Sequence, residues 1–216
     1  LVRVPGTIGR LVAAAVPLAG LTAWQGLFDH GALRAGQRVL IHAGAGGVGH
    51  LAVQFAKARG ATVAATVSTD DVAFARSLGA DEVIDHKTER FESRLKDIDL
   101  VFDLVGDDTQ ERSWAVLKKG GALVSTVQAP SQEKADAIGV RAMRYTAAPD
   151  AAQLREIDTL IQSGRVRPYV ARTFAYGDAA QALHALQQGH GAGKLVLDIA
   201  GVIASLELRH LRTDSR

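Results

Sequence analysis

Cysteine is absent from the 216 residues. That excludes disulfides, thiolate nucleophiles, zinc sites built on Cys and regulation through thiol oxidation. Excess charge of one sign is also lacking: 25 basic against 23 acidic side chains leave a formal net charge of +2, too little for the basic stripe that grips a nucleic-acid backbone. No long apolar run occurs, and residues 1–15 are interrupted by arginines, a proline and glycines, so neither a signal peptide nor a membrane span is expected. A soluble, cytoplasmic protein without nucleic-acid or membrane partners is the expectation. The seven histidines are scattered, with no HExxH and no pair at ligand spacing, so no metal site is expected. What is present is 47% hydrophobic and 22% charged residues, enough for one sizeable α/β core with something left over. The chain does not open with Met, and Leu1 to Pro5 reads like the tail of a strand entering from upstream, so a fragment is expected.

From Val39 onward short apolar runs alternate with helical patterns, the sequence form of βα units whose strands are covered on both faces. The runs are 39–42, 62–67, 82–84, 100–105 and 122–127, with 139–146 as the last strand of the sheet. The fold expected is α/β: a doubly wound parallel sheet in three αβα layers. Between the first two strands Val48, Leu51, Ala52, Phe55 and Ala56 form one helical stripe, and Gly60 supplies a left-handed stop. Further helices are expected after Asp71, from Asp108 with Glu111 as a capping box, around Leu154, Ile157 and Ile161, and after Asp178 with Gln181. Residues 128–136 are polar enough to be a loop. Residues 195–199 read as a final strand, and 200–216 as a tail that resumes a helical pattern at Val202, Ile203 and Leu206.

The sharpest feature is Gly44-Ala45-Gly46-Gly47-Val48-Gly49, a G-x-G-x-x-G run between a buried strand and an amphipathic helix. Gly44 would allow the tight turn, Gly46 a close approach of backbone to a diphosphate, and Gly49 close packing of helix on strand. With Gly47 and Val48 they open a helix whose free N–H groups and dipole favour an anion. No Lys-Ser/Thr pair follows, so this is not a nucleoside-triphosphate loop of the Walker type.

The choice of dinucleotide depends on the tip of the second strand, where a carboxylate would accept hydrogen bonds from the adenosine ribose of NAD. Here stand Ser68 and Thr69, so a 2′-phosphate meets hydroxyls and NADP(H) is preferred. Asp70 and Asp71 lie just beyond; as caps of the next helix they are neutral in this choice, whereas pointing back they would favour NAD. S-adenosylmethionine enzymes share the glycines but usually carry the same acidic residue. The short-chain dehydrogenase pair, a Tyr four residues before a Lys, is missing at Tyr145, Tyr169 and Tyr176.

The glycine loop, together with Leu18 to Trp24, Leu78 to Asp85, Phe102 to Gly106, Leu117 to Val124 and Gly193 to Leu197, resembles the medium-chain dehydrogenase/reductase superfamily, and within it the zinc-independent quinone oxidoreductase (ζ-crystallin-like) branch. The resemblance implies residues 1–166 as an NADP-binding domain with lead-in helices and 167–199 as a strand-helix-strand segment belonging to a GroES-like catalytic domain absent from this chain. The apolar faces of that segment are then expected to lie partly exposed. It places Thr22 near the nicotinamide, with Gln25 one turn on, and Val105, Gly106, Thr126 and Val127 along the nicotinamide side. His86 stands where the family often has a Tyr touching the adenosine phosphate, and Val72 near the place of a frequent Lys.

The implied function is NADP(H)-dependent hydride transfer to a small-molecule quinone, enone or activated carbonyl, without metal and with no acid or base assignable here. The alternative is a non-catalytic nucleotide-binding or crystallin-like structural module. As in family dimers, strand 139–146 would form the edge of a homodimer.

Overall fold

The computed structural model describes residues 9–189 and 191–199. The strand-like opening at 1–5 and the helical pattern at 200–216 lie outside the described residues. Six strands, β1 (Arg38–Ile41), β2 (Thr62–Val67), β3 (Glu82–Asp85), β4 (Ile98–Asp103), β5 (Leu117–Ser125) and β6 (Arg141–Arg144), form a fully parallel sheet in the order β3-β2-β1-β4-β5-β6. The chain starts in the middle, builds outward through β2 and β3, then returns to lay β4 to β6 on the other side. The order therefore reverses between β1 and β4, opening a crevice beyond the C-terminal strand ends.

The two-residue period of the strands divides the apolar side chains between two cores. Val39, Ile41, Val63, Ala65, Leu100, Phe102, Ala122 and Val124 face one side. There they meet helices α2 (Pro17–Trp24), α3 (Gly49–Ala58) and α7 (Ala151–Gln162), which follow a short α1 (Arg10–Ala15) and bring Leu21, Phe55 and Ile157 into the same core. Leu40, Ala64, Ile84, Val101 and Leu123 face the opposite side, under Phe91, Leu95 and Val116. Covering both faces is what a run of consecutive apolar residues such as Val39-Leu40-Ile41 requires, and all three are fully buried.

The remaining helices are α4 (Val72–Ser77), α5 (Asp107–Ser113), α6 (Gln132–Ile138) and α8 (Ala179–Gln187). A parallel pair, β7 (Val170–Ala175) and β8 (Lys194–Asp198), flanks α8 and gives the expected strand-helix-strand segment. On α8, Leu183 and Leu186 are 57% and 55% exposed.

Three local expectations are corrected. The polar stretch 128–136 is not all loop: Ser131 caps α6 by accepting from the Lys134 N–H, and Gly139, at φ 67°, ends it. Strand β6 therefore begins only at Arg141. Asp108 and Glu111 form no capping box, because the helix is capped two residues earlier, at Gly106 with φ 82°, and α5 starts at Asp107. Asp108 instead receives the Arg112 guanidinium at 2.7 Å, and Glu111 pairs with Lys134. Strands β4 and β5 end at Asp103 and Ser125, so Val105, Gly106, Thr126 and Val127 lie in the turns just beyond.

Candidate functional site

The glycine loop follows β1, and its geometry differs from the sequence reading in one respect. The left-handed residue of the turn is Ala43, at φ 53°, not Gly44. Gly44 is needed for contact: a Cβ there would stand 2.7 Å from the Ala65 Cβ on β2. At Gly49 a Cβ would fall 2.1 Å from the Ala43 carbonyl oxygen, so only glycine lets α3 start this close to the turn. Gly46 is open on its outer side, where a Cβ would meet nothing nearer than the Ala43 oxygen at 3.3 Å. Among the described residues, the N–H groups of Gly47 and Val48 have no acceptor, and they precede a ten-residue helix. Unpaired donors at such a helix start suit an anion.

A cleft of about 640 Å³ opens over this loop. Gly46, Ser68, His86 and Val105 all line it, so the structure brings these four expected residues together. The Ser68 hydroxyl lies 3.3 Å from His86 Nε2 at the mouths of β2 and β3. Asp70, Asp71 and Lys87 also line this end. Asp71 sits at the start of α4 without a side-chain capping bond. Thr69 is not part of the lining: its hydroxyl donates to Asp85 at 2.7 Å, and that bond, with the Lys87 N–H, holds the Asp85 carboxyl below the usual carboxylate range.

Gly106, Thr126 and Val127 form a second group beyond β4 and β5. A Cβ on Gly106 would stand 3.3 Å from a Val127 methyl. Thr22 is half-buried on α2; its hydroxyl donates to the Leu18 carbonyl at 2.7 Å and its carbonyl accepts from the Tyr145 hydroxyl. Gln25 is not brought to the cleft. Its buried amide donates to Ala148 O and Gln153 Oε1, both at 2.8 Å, and accepts from Ala148 N at 2.9 Å. It clamps the segment leading into α7.

Two groups that the sequence reading left unassigned stand at the loop. His42 is fully buried, with Thr66 Oγ1 3.0 Å from Nδ1 and Ser113 Oγ 2.9 Å from Nε2. Because Ser113 donates to the Thr109 carbonyl, the neutral Nε2–H tautomer satisfies both ring nitrogens. Burial lowers its pKa to about 4, against the opposing field of Asp103. The imidazole thus ties the ends of β1 and β2 to α5 across the crevice. Lys194, at the start of β8, lies over the glycines: its Nζ is 3.4 Å from where a Gly47 Cβ would be, and the preceding Gly193 N–H bonds to Ala45 O at 2.9 Å. A Gly-Lys pair opening the last apolar strand was the available signal for it, but only the fold brings that strand to the loop.

A parallel sheet with a glycine turn after its central strand, free amides at the following helix and a cleft at the switch point defines a dinucleotide-binding α/β fold. A zinc-binding dehydrogenase family model matches residues 78–197. The chain belongs to that family, within the medium-chain dehydrogenase/reductase superfamily. It is 32% identical over 226 residues to the mitochondrial NAD(P)H oxidoreductase RTN4IP1 of Danio rerio, covering 90% of this chain and 58% of that protein. It is 35% identical over 197 residues to a chloroplastic NADPH-dependent alkenal/one oxidoreductase of Arabidopsis thaliana, covering 89% of this chain and 48% of that protein. A solved quinone oxidoreductase from Coxiella burnetii superposes with a TM-score of 0.83 at 37% identity, covering 90% of this chain and 62% of the other. The chain thus spans about half to three fifths of the length of these relatives. Among the described residues no group of three or more His, Asp or Glu stands together as a metal-binding cluster, and no helix is long and apolar enough to cross a membrane.

Proposed function

We propose that this chain is the coenzyme-binding part of a zinc-independent, NADP(H)-dependent oxidoreductase acting on a small quinone, enone or similarly activated carbonyl. The observation that carries the reading is the cradle itself: unpaired Gly47 and Val48 amides with the Lys194 ammonium over them, directly after Gly46, which lines a cleft of nucleotide size. NADP(H), when bound, supplies the hydride chemistry. The chain's own residues bind and orient. Gly46, Gly47, Val48 and Lys194 hold the diphosphate between backbone amides and one ammonium. Ser68, His86 and Lys87 receive the adenosine 2′-phosphate at a strand tip with no carboxylate of its own, with Asp70 and Asp71 beyond. Val105, Gly106, Thr126 and Val127 wall the nicotinamide half and keep water from one side, and Thr22 is assigned to the same half on the family resemblance. No side chain here is assigned a proton-transfer role.

The names of the Arabidopsis and Coxiella relatives support the substrate class. The test pairs calorimetric NADPH titration with NADPH oxidation on quinone and enone panels. Saturable binding with turnover of one panel is the expected result, and binding without any turnover favours the non-catalytic module. A homodimer through the outer edge of β6 is part of the same proposal, since β6 ends the sheet. Light scattering that finds only monomer at micromolar concentration removes it. A cytoplasmic location is likewise proposed, and fractionation of the source cells checks it against the organellar locations in the relatives' names.

A further inference from the structure

The two turns assigned to the nicotinamide half are built on one buried carboxylate. Asp103, the last residue of β4, is fully buried. Its Oδ1 accepts from the Val105 N–H at 3.0 Å and the Gly106 N–H at 2.9 Å. Its Oδ2 accepts from the Ser125 hydroxyl and from Gln110 Nε2, each at 2.9 Å. Ser125, the last residue of β5, accepts in turn from the Val127 and Gln128 N–H groups at 3.1 and 3.2 Å. Gln128 closes the circuit by accepting from the Asp107 N–H at 2.9 Å. The turns 105–107 and 126–128 therefore form a single hydrogen-bonded body.

This is an expensive way to end two strands. A buried carboxylate loses its hydration and is costly unless donors surround it, and an apolar residue would fill the space without that cost. What only an acceptor of this capacity does is collect N–H groups from two turns at once. The turns need holding: Gly106 and Asp107 are successive residues of positive φ, 82° and 47°, the second of them not a glycine. Their apolar tips are presented outward, Val105 being 43% and Val127 50% exposed at the C-terminal ends of adjacent strands.

We propose that Asp103, acting through Ser125 and Gln110, is the positioning residue that presets both turns as one rigid wall of the nicotinamide half-site. The proposal rests on the coenzyme reading above. It does not make Asp103 a catalytic residue, since the carboxylate is sealed beneath the turns. Preorganisation of this kind lowers the ordering cost when the ring docks.

The test compares two ligands on this chain: NADPH, and 2′-phospho-ADP-ribose, which has the same adenosine and diphosphate groups but no nicotinamide. In Asp103→Asn the new amide places donors against Ser125 and Gln110, or against the two turn amides if it flips, so half the network fails. Affinity for NADPH is expected to fall about tenfold while that for 2′-phospho-ADP-ribose stays within about twofold. Ser125→Ala, which keeps the carboxylate and severs only the second turn, shifts the same ratio in the same direction by less. Equal weakening of both ligands would make the network general fold support and overturn the proposal, as would an unchanged NADPH affinity in both variants. Should Asp103→Asn not fold, the ratio in Ser125→Ala decides. Wild-type protein that binds both ligands equally well overturns the positioning role alone, whereas wild-type protein that binds neither overturns the coenzyme reading and this proposal with it.

Discussion

Acid should loosen this protein at the floor of the cleft. His42 has a folded-state pKa of about 4 against an ordinary 6.5, because burial penalises the imidazolium and the Asp103 field only partly offsets it. The unfolded chain therefore takes up this proton first, and stability present above pH 6.5 is lost as pH falls toward 4. At about 1.4 kcal/mol per pH unit the full window is worth about 3 kcal/mol, a sizeable share of a domain's net stability. The comparison is with His42→Gln, which keeps a donor and an acceptor but cannot titrate. At pH 7.5 the variant is expected to be less stable by about 1–3 kcal/mol, the cost of imperfect bonds to Thr66 and Ser113. Urea denaturation followed by the emission of Trp24 and Trp114 at pH 4, 5, 6 and 7.5 reads both curves. The difference between the two proteins should change by about 3 kcal/mol between pH 7.5 and 4, so that the wild-type advantage vanishes or reverses. Parallel curves for the two proteins would refute the argument, placing the acid dependence on other groups.

Three further outcomes are expected. Gly49→Ala forces a Cβ against the Ala43 oxygen, so the protein should lose about 1–3 kcal/mol of stability and most of its NADPH affinity, read by calorimetry and thermal melting. Lys194→Gln should weaken NADPH and 2′-phospho-ADP-ribose alike, by about tenfold at low salt and less at high salt, because both carry the diphosphate. Ser68→Asp puts a carboxylate where the 2′-phosphate is expected, and the ratio of NADPH to NADH affinity should drop by tenfold or more, at roughly 1–2 kcal/mol of like-charge repulsion.

The layered parallel sheet follows from patterns that sequence displays openly: largely apolar runs at 39–42 and 62–67, one helical stripe from Val48 to Ala56, and glycines at the stops; the order of the strands comes from the structure alone. The glycine loop was legible for the same reason, since its roles depend on backbone shape and on missing side chains. Less visible were features set by tertiary partners. Helix α6 lies in a polar stretch whose local signals are only the Ser131 cap and the Gly139 stop. Gln25 sits one turn from Thr22, yet its amide is claimed by Ala148 and Gln153 more than a hundred residues on. Thr69 and Ser68 are adjacent hydroxyls with different fates because Asp85 of the neighbouring strand binds one of them. Lys194 reaches the loop only because β8 returns to it, and nothing near residue 47 announces that.

The central claim is that the amides at the start of α3 hold a nicotinamide dinucleotide's diphosphate. A ¹⁵N–¹H correlation spectrum recorded through an NADPH titration addresses those amides individually. Saturable shifts at Gly46, Gly47 and Val48, with smaller changes along the outer face of α7, are the predicted result. Resonances at these three positions that stay fixed while NADPH is raised to millimolar concentration would contradict it.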